Sequence, residues 1–265
     1  AAVRHATGEI IVFSDANSLF APEAVSRMVE NFADPEVGYL TGALTLQSSD
    51  GSVSGGGSGA YMRYENMLRA TETRVGSVIG VNGGIDAIRR ELYSDIPREL
   101  ITDFVLPLRV IAAGHRVVFE PRAQSAEAAN TEITSEFRMR VRVALRALQG
   151  LMHMRQLFNP LRYPMASFCL VSHKLLRYMA FVFMATALLS NAWLALFSPL
   201  YQTLLLVHLV GYGLALLGLS KFAPPQLRLL TVVPSYLLMT YAAFAMATVK
   251  FLRGQSMATW QPRAG

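Results

Sequence analysis

The chain has 265 residues, with 24 Lys and Arg against 18 Asp and Glu, 52% apolar residues and only 16% charged ones, and its mean hydropathy is +0.34. Soluble domains carry about 25% charged residues, so the composition argues against an ordinary cytosolic protein and excludes disorder, collagen and a coiled coil. All 18 acids and 11 Lys or Arg lie at or before Glu136, a net of −7, and 13 Lys or Arg with no acid follow, a net of +13. That split reads as a water-facing part followed by a membrane part. Basic residues beside apolar spans mark the cytoplasmic face of a bilayer rather than a nucleic-acid surface. Cys169 stands alone, so the sequence offers no intramolecular disulfide and no Cys-based metal site.

Residues 1–9 lack an initiating Met, a charged n-region and an apolar h-region, which is not the pattern of a signal peptide. They read as the end of a helix stopped near Gly8, so the chain is expected to begin inside a domain. Residues 10–13 are an apolar run suited to a buried parallel strand. After Ser14-Asp15-Ala16-Asn17-Ser18 come a helix from about Pro22 to Phe32, a turn at Asp34-Pro35 and a strand over 38–46. In open α/β sheets ligands sit beyond the carboxyl ends of strands. Asp15 and Asn17 fall at such an end, where oxygen ligands hold Mg²⁺ or Mn²⁺. The alternative is that Asp15 caps the following helix.

The glycine-rich segment 51–59 reads as a mobile surface loop, because glycine loses the most entropy on ordering, and no Lys-Ser/Thr follows it to make a phosphate loop. Residues 60–73 form a helix with Tyr61, Tyr64, Met67 and Leu68 at packing spacing. The turn through Asn82, Gly83 and Gly84 either grips substrate hydroxyls with backbone donors or is a structural turn. A helix begins at Ile101-Thr102-Asp103-Phe104 and ends at Gly114, before a strand over 116–120. Asp103 there is either an N-cap or a general base. Arg138, Arg142 and Arg146 recur every four residues on one helical face, where like charges repel, so an anionic partner is expected: lipid headgroups or a nucleotide diphosphate, whose oxygens guanidinium matches bidentately.

About 20 apolar residues cross the hydrocarbon core, and three stretches are long enough, over 175–197, 200–219 and 229–249. Residues 159–174 mix Arg162, His173 and Lys174 with apolar residues and resemble an interfacial helix. Arg162, Lys174 and Arg177 put the entry to the first span on the cytoplasmic side, as do Lys221 and Arg228 for the loop between the second and third. Three full crossings would then put Lys250, Arg253 and Arg263 outside, against the same rule. Either the third segment is re-entrant or interfacial, or the rule is broken.

Together the runs Ala6-Thr-Gly-Glu-Ile-Ile-Val-Phe-Ser-Asp-Ala-Asn17, Asn82-Gly-Gly-Ile-Asp-Ala-Ile-Arg-Arg-Glu-Leu92, Ile101-Thr-Asp-Phe-Val-Leu-Pro-Leu-Arg-Val110 and Gly114-His-Arg-Val-Val-Phe-Glu-Pro121, with the closing Thr259-Trp-Gln-Pro262, resemble the membrane-integrated family 2 glycosyltransferases. That group includes cellulose and hyaluronan synthases and bacterial exopolysaccharide transferases. The resemblance implies a partial GT-A, Rossmann-like domain over residues 1–150, an interfacial region over 151–174, transmembrane helices within 175–253 and a tail over 254–265. The strands that hold the nucleobase would precede Ala1.

By the same resemblance, Asp103 is the base, and Asp15 and Asn17 are the metal ligands of a DxD element written here as DAN. Asn82, Gly83 and Gly84, with Arg138, Arg142 and Arg146, form the substrate site. The implied reaction is an inverting transfer from a nucleotide sugar, expected to be UDP-linked, to a glycan or lipid-linked acceptor at the cytoplasmic face of the cell (inner) membrane. Membrane lipids are the other partners, and no nucleic acid is implied. Three departures stand out: Asn17 replaces the second DxD acid, Asp103 has no acid beside it, and the QxxRW element of processive synthases is absent. Two other readings follow from the residues: a catalytically silent assembly partner, which those departures motivate, and a transporter, for which the spans offer essentially His208 alone.

Overall fold

Side chains along a strand point alternately to opposite faces, and here the central strands bury both. The computed structural model describes residues 2–47, 53–97, 99–128, 132–220 and 223–256. Among these, β1 (Ile10–Ser14), β2 (Leu19–Phe20), β3 (Val37–Gln47), β4 (Ile85–Arg89) and β5 (Arg116–Ala128) form one sheet in the order β1-β4-β3-β5-β2. β3 and β5 are parallel, and the remaining pairings are antiparallel. Leu40, Ala87 and Val118 face a small core closed by Ala24, Met28 and Phe32 of and just after α1 (Ala24–Glu30). Their neighbours Tyr39, Ile88, Val117 and Phe119 face the larger core, which α3 (Thr102–Ala112) and α4 (Ile133–His153) fill.

Three local expectations change. β1 is not a buried parallel strand: it lies at the edge of the sheet, half-exposed and antiparallel to β4. The reason is topological, since β4 inserts between β1 and β3 and separates two strands that run the same way. Residues 2–5 are a short 3₁₀ turn. Most of the glycine-rich segment is helical, because α2 runs over Val53–Val75, while residues 48–52 lie outside the described ones. Each glycine costs about 1 kcal/mol in a helix, but extending an existing helix adds a backbone bond per residue without a new nucleus, and α2 is already anchored against β3, β5 and the C-terminal helix.

The β3–β5 ladder shifts register between Gly42 and Ala43, where Pro121–Ala123 of β5 loops over β3. A methyl at Gly42 would lie 2.5 Å from the Ala123 carbonyl oxygen and 2.9 Å from Ile85 Cδ1. Gly42→Ala is therefore expected to destabilise the fold by about 1–3 kcal/mol, read as a lowered midpoint of thermal unfolding; an unshifted midpoint would show that the loop moves aside freely.

The C-terminal part begins with α5 (Pro164–Cys169), a π turn over Leu170–Leu175 and α6 (Leu176–Tyr178), then α7 (Ala180–Leu194), α8 (Pro199–Leu219) and α9 (Arg228–Leu252). α8 and α9 are long and apolar enough to cross a bilayer, and the bent pair Pro164–Tyr178 with Ala180–Leu194, angled by 58°, makes a third only if counted as one span. The straight helix expected over 175–197 is thus broken near Met179. The 15 residues of α7 rise about 22 Å, short of the ~30 Å core.

α9 and α8 meet through small residues, as membrane helices do: Ser235 Oγ donates to the Ala215 carbonyl at 2.8 Å, and Gly218 lies against Thr231 and Ser235. Ala243, Phe244 and Ala247 of α9 also enter the large core beside α4. The third apolar segment is therefore joined to the α/β layer through its C-terminal part, while its N-terminal part packs on α8. Lys221, Arg263 and the 259–262 tail lie outside the described residues.

Candidate functional site

The turn between α2 and β4 is where the chemistry-bearing side chains converge. Gly83 adopts φ +82°, a conformation that costs glycine least. Its N–H donates to Asp86 Oδ2 at 3.0 Å, and any side chain at this position would collide with the Asp103 carboxylate. Gly84 faces the other group: a methyl there would lie 2.6 Å from Glu127 Oε1 and 2.8 Å from Ser18 Oγ. The turn thus brings the start of α3, the end of β1 and the end of β5 to one place, at the carboxyl ends of β1 and β3.

Asp103 sits in the first turn of α3, but the N-cap position is Ile101 and no side chain caps it, so the capping alternative does not apply. Burial raises its pKa, its own backbone N–H offsets part of that, and the charge of Asp15 raises it further, leaving it at about 6. Arg146 and Lys174 pull the other way. The two aspartates therefore act on one another across the same end of the sheet. Asp15 is exposed and lies well before α1, whose N-cap is Glu23 with no side-chain bond; it does not cap that helix. Asp86, buried in β4, is pushed up to about 7 by burial, against hydrogen bonds from Thr41, Tyr39 and Gly83; Tyr39 Oη donates to it at 2.9 Å.

The other expected site residues are less alike. Asn82 is tied to β3: its N–H donates to Thr41 Oγ1 at 3.1 Å and its side-chain amide to the Gly42 carbonyl. Its side chain therefore builds the turn rather than offering its NH₂ to a substrate. On α4, Arg146 donates to the Leu100 and Glu99 carbonyls just before α3, which places its charge near Asp103. Arg138 is exposed and reaches back to the Thr134 carbonyl at 3.4 Å, and the eight-residue step to Arg146 is about 12 Å of helix. The two are held by different stretches of backbone, Arg138 by its own helix and Arg146 by the residues before α3. Arg142, half-buried, lies one turn before Arg146.

Several charged residues were not singled out by sequence. Glu65, Arg69 and Glu72 of α2 are buried and meet the segment 173–177. Arg177 donates to Glu65, His173 Nδ1 lies 2.5 Å from Glu72 Oε1, and Arg69 Nε donates to the Gly80 carbonyl at 2.7 Å. A side chain on Gly80 would collide with the Lys174 ammonium. The signal was present as two i, i+4 spacings, Glu65/Arg69 and His173/Arg177, but nothing local says that they face each other. Contrary to the sequence expectation, Cys169 does belong to a three-group cluster with Glu72 and His173, whose ligand atoms lie within 4.8 Å of one another. The His173–Glu72 contact and the bond from Ile79 N–H to Glu72 at 3.1 Å already occupy the carboxylate.

The donor set at the strand end is all oxygen, from Asp15, Asn17 and the neighbouring Glu127. Such groups suit Mg²⁺ or Mn²⁺ rather than softer metals, and Gly84 lets the turn pack directly against Glu127 and Ser18. Residues 1–96, which contain this strand end and the glycine turn, match the family model for glycosyl transferase family 2.

The fold is that of a GT-A glycosyltransferase.

A similar solved structure is the mannosyltransferase PcManGT from Pyrobaculum calidifontis in complex with GDP-Man and Mn²⁺, 24% identical with a TM-score of 0.56, covering 95% of this chain and 64% of that one. The present chain thus spans about two thirds of that protein's length. No curated protein sequence matches it. The family 2 match covers β1–β4 with Asp15, Asn17 and the turn; β5, α3 with Asp103, the arginines of α4 and the apolar helices lie beyond it.

Proposed function

We propose that this chain is the C-terminal part of a GT-A catalytic domain joined to its membrane region, in an inverting glycosyltransferase that moves a sugar from a nucleoside diphosphate sugar to an acceptor hydroxyl. The observation that carries this reading is a half-buried carboxyl, Asp103, raised to about 6 and packed on the glycine turn beside the oxygen-rich strand end. A base works best with a pKa near the operating pH. In a single displacement the acceptor oxygen bonds to the anomeric carbon, the bond to the diphosphate breaks, and the acceptor proton passes to Asp103. Asp15 and Asn17 would hold the divalent cation, which neutralises charge on the departing diphosphate. Arg142 and Arg146 supply further positive charge from α4.

The acceptor is proposed to be a glycan or lipid-linked hydroxyl reaching the site from the membrane side. A cavity of about 200 Å³ lies between α2, α4, α6 and α9, lined by Tyr61, Tyr178 and Phe244 with Arg140 and Glu136, which suits a sugar's apolar face and hydroxyls. α8 and α9 would span the inner membrane, with the GT-A layer on the cytoplasmic side. The similar structure holds GDP-Man, and the family resemblance favours UDP-sugars, so both donors belong in the test. In the full-length protein, turnover of a UDP- or GDP-sugar is expected to require Mn²⁺ or Mg²⁺ and to fall at least about 100-fold in EDTA. Turnover unaffected by EDTA would remove the cation from the mechanism. No turnover with any donor would favour the silent assembly partner.

A further inference from the structure

Asn17 is a neutral residue where the DxD element carries its second acid, yet a carboxylate stands beside it. Antiparallel pairing of β2 with β5 sets Leu19 against Ala126 and Phe20 against Ser125, so Ser18 falls opposite Glu127. The side chains meet accordingly: Ser18 Oγ donates to Glu127 Oε1, and Asn17 Nδ2 donates to Oε2 at 3.4 Å. Gly84 bounds the same carboxylate from the turn, where a methyl would come within 2.6 Å of Oε1. Glu127 is thus held from three sides at the strand end, although it lies 110 residues after Asn17.

We propose that Glu127 is the positioning residue that completes the cation site: it fixes Asn17 with its amide oxygen turned towards the donor pocket and supplies the negative charge that the DAN sequence lacks. The inference rests on the glycosyltransferase reading of that strand end. Its physical basis is the inventory of donors and acceptors. An ionised carboxylate only accepts hydrogen bonds, so the NH₂ of Asn17 must face Glu127, and the opposite orientation would set two acceptors against each other. The Asn17 carbonyl oxygen is therefore directed away from Glu127 and is the atom available to a hard cation. Partners that orient a metal ligand and tune its charge typically change metal affinity by about 10–100-fold.

The test is the binding of free Mn²⁺ to the full-length protein, followed by electron paramagnetic resonance, alone and with UDP or GDP. Glu127→Gln keeps the shape but removes the charge and the forced orientation, and it is expected to weaken Mn²⁺ binding by about 10-fold or more. Asn17→Asp combined with Glu127→Gln returns an acid to the ligand position beside an amide donor, and it is expected to restore binding towards the wild-type value. A loss in the single variant with recovery in the double one supports the proposal, because a general packing defect would not be repaired by a new acid at residue 17. Unchanged affinity in Glu127→Gln, or a double variant no better than the single one, overturns it. A wild type that binds no Mn²⁺ overturns the cation site itself, and is thereby distinguished from a failure of Glu127 alone.

Discussion

Replacing Asp103 with Asn should lower kcat by about 10²–10⁴-fold while leaving nucleotide binding intact. Asn keeps the shape that packs on Gly83 but cannot take a proton. Titration calorimetry with the nucleotide and single-turnover assays separate the two effects, and undiminished turnover would remove Asp103 from the reaction. The wild type should also show a rate that rises with pH through about 6, because the base works only when ionised, and the Asn variant should lose that limb. A cation bound beside Asp15 would cancel part of the repulsion that raises Asp103, so the limb should shift to lower pH as Mn²⁺ saturates.

Stability runs in the opposite sense to activity. A carboxyl raised from 3.8 to about 6 on folding favours the folded state while protonated, below its unfolded value, and that contribution is lost as pH rises through about 6. Asp103→Asn should therefore melt no lower than the wild type at neutral pH and lose any advantage in acid. The site is held at some cost to the fold, as functional sites commonly are.

The largest loss of stability is expected from Glu65→Ala. This carboxylate is only 3% exposed, accepts from Arg177 and lies 3.7 Å from Arg69 of its own helix. Burial alone would raise its pKa, but Lys174, Arg177 and Arg69 override it and hold it at about 2. Removing one member of such a buried group leaves cations uncompensated and costs about 3–5 kcal/mol, or about 2–4 °C of melting temperature per kcal/mol in a domain of this size. The pH dependence has the sign opposite to that of Asp103. Stability from Glu65 is present above 4.5 and is lost as pH falls towards about 2. Glu65→Gln should remove that acid loss, and a variant that melts like the wild type would show that α2 and the 173–177 segment hold together without the pair.

Much of this architecture was legible because it is local. Period-two apolar runs gave β3 and the core of β5, Gly114 marked the end of α3, and the long uncharged stretches corresponded to α8 and α9. Asp15 and Asn17 could be set at a strand end and Asp103 at a helix start from neighbouring residues alone. What escaped depends on pairings between distant parts of the chain. β1 looked internal because its own residues are apolar, whereas its edge position follows from β4 inserting beside it. Glu127 gave no signal because the strand that fixes it, β2, has only two residues. Helical winding of the glycine-rich segment ran against its own propensity and came from the anchored residues that follow. The charged contacts of α2 needed a π turn to present His173, Lys174 and Arg177 to it, and such a turn leaves no reliable trace in hydrophobic periodicity.

The ammonium of Lys174 resting on Gly80 has an evolutionary corollary. Two positions far apart in the chain share one volume, so a larger residue at 80 is admissible only with a shorter one at 174, and the pair is expected to covary among relatives even though neither residue is among those assigned to the chemistry.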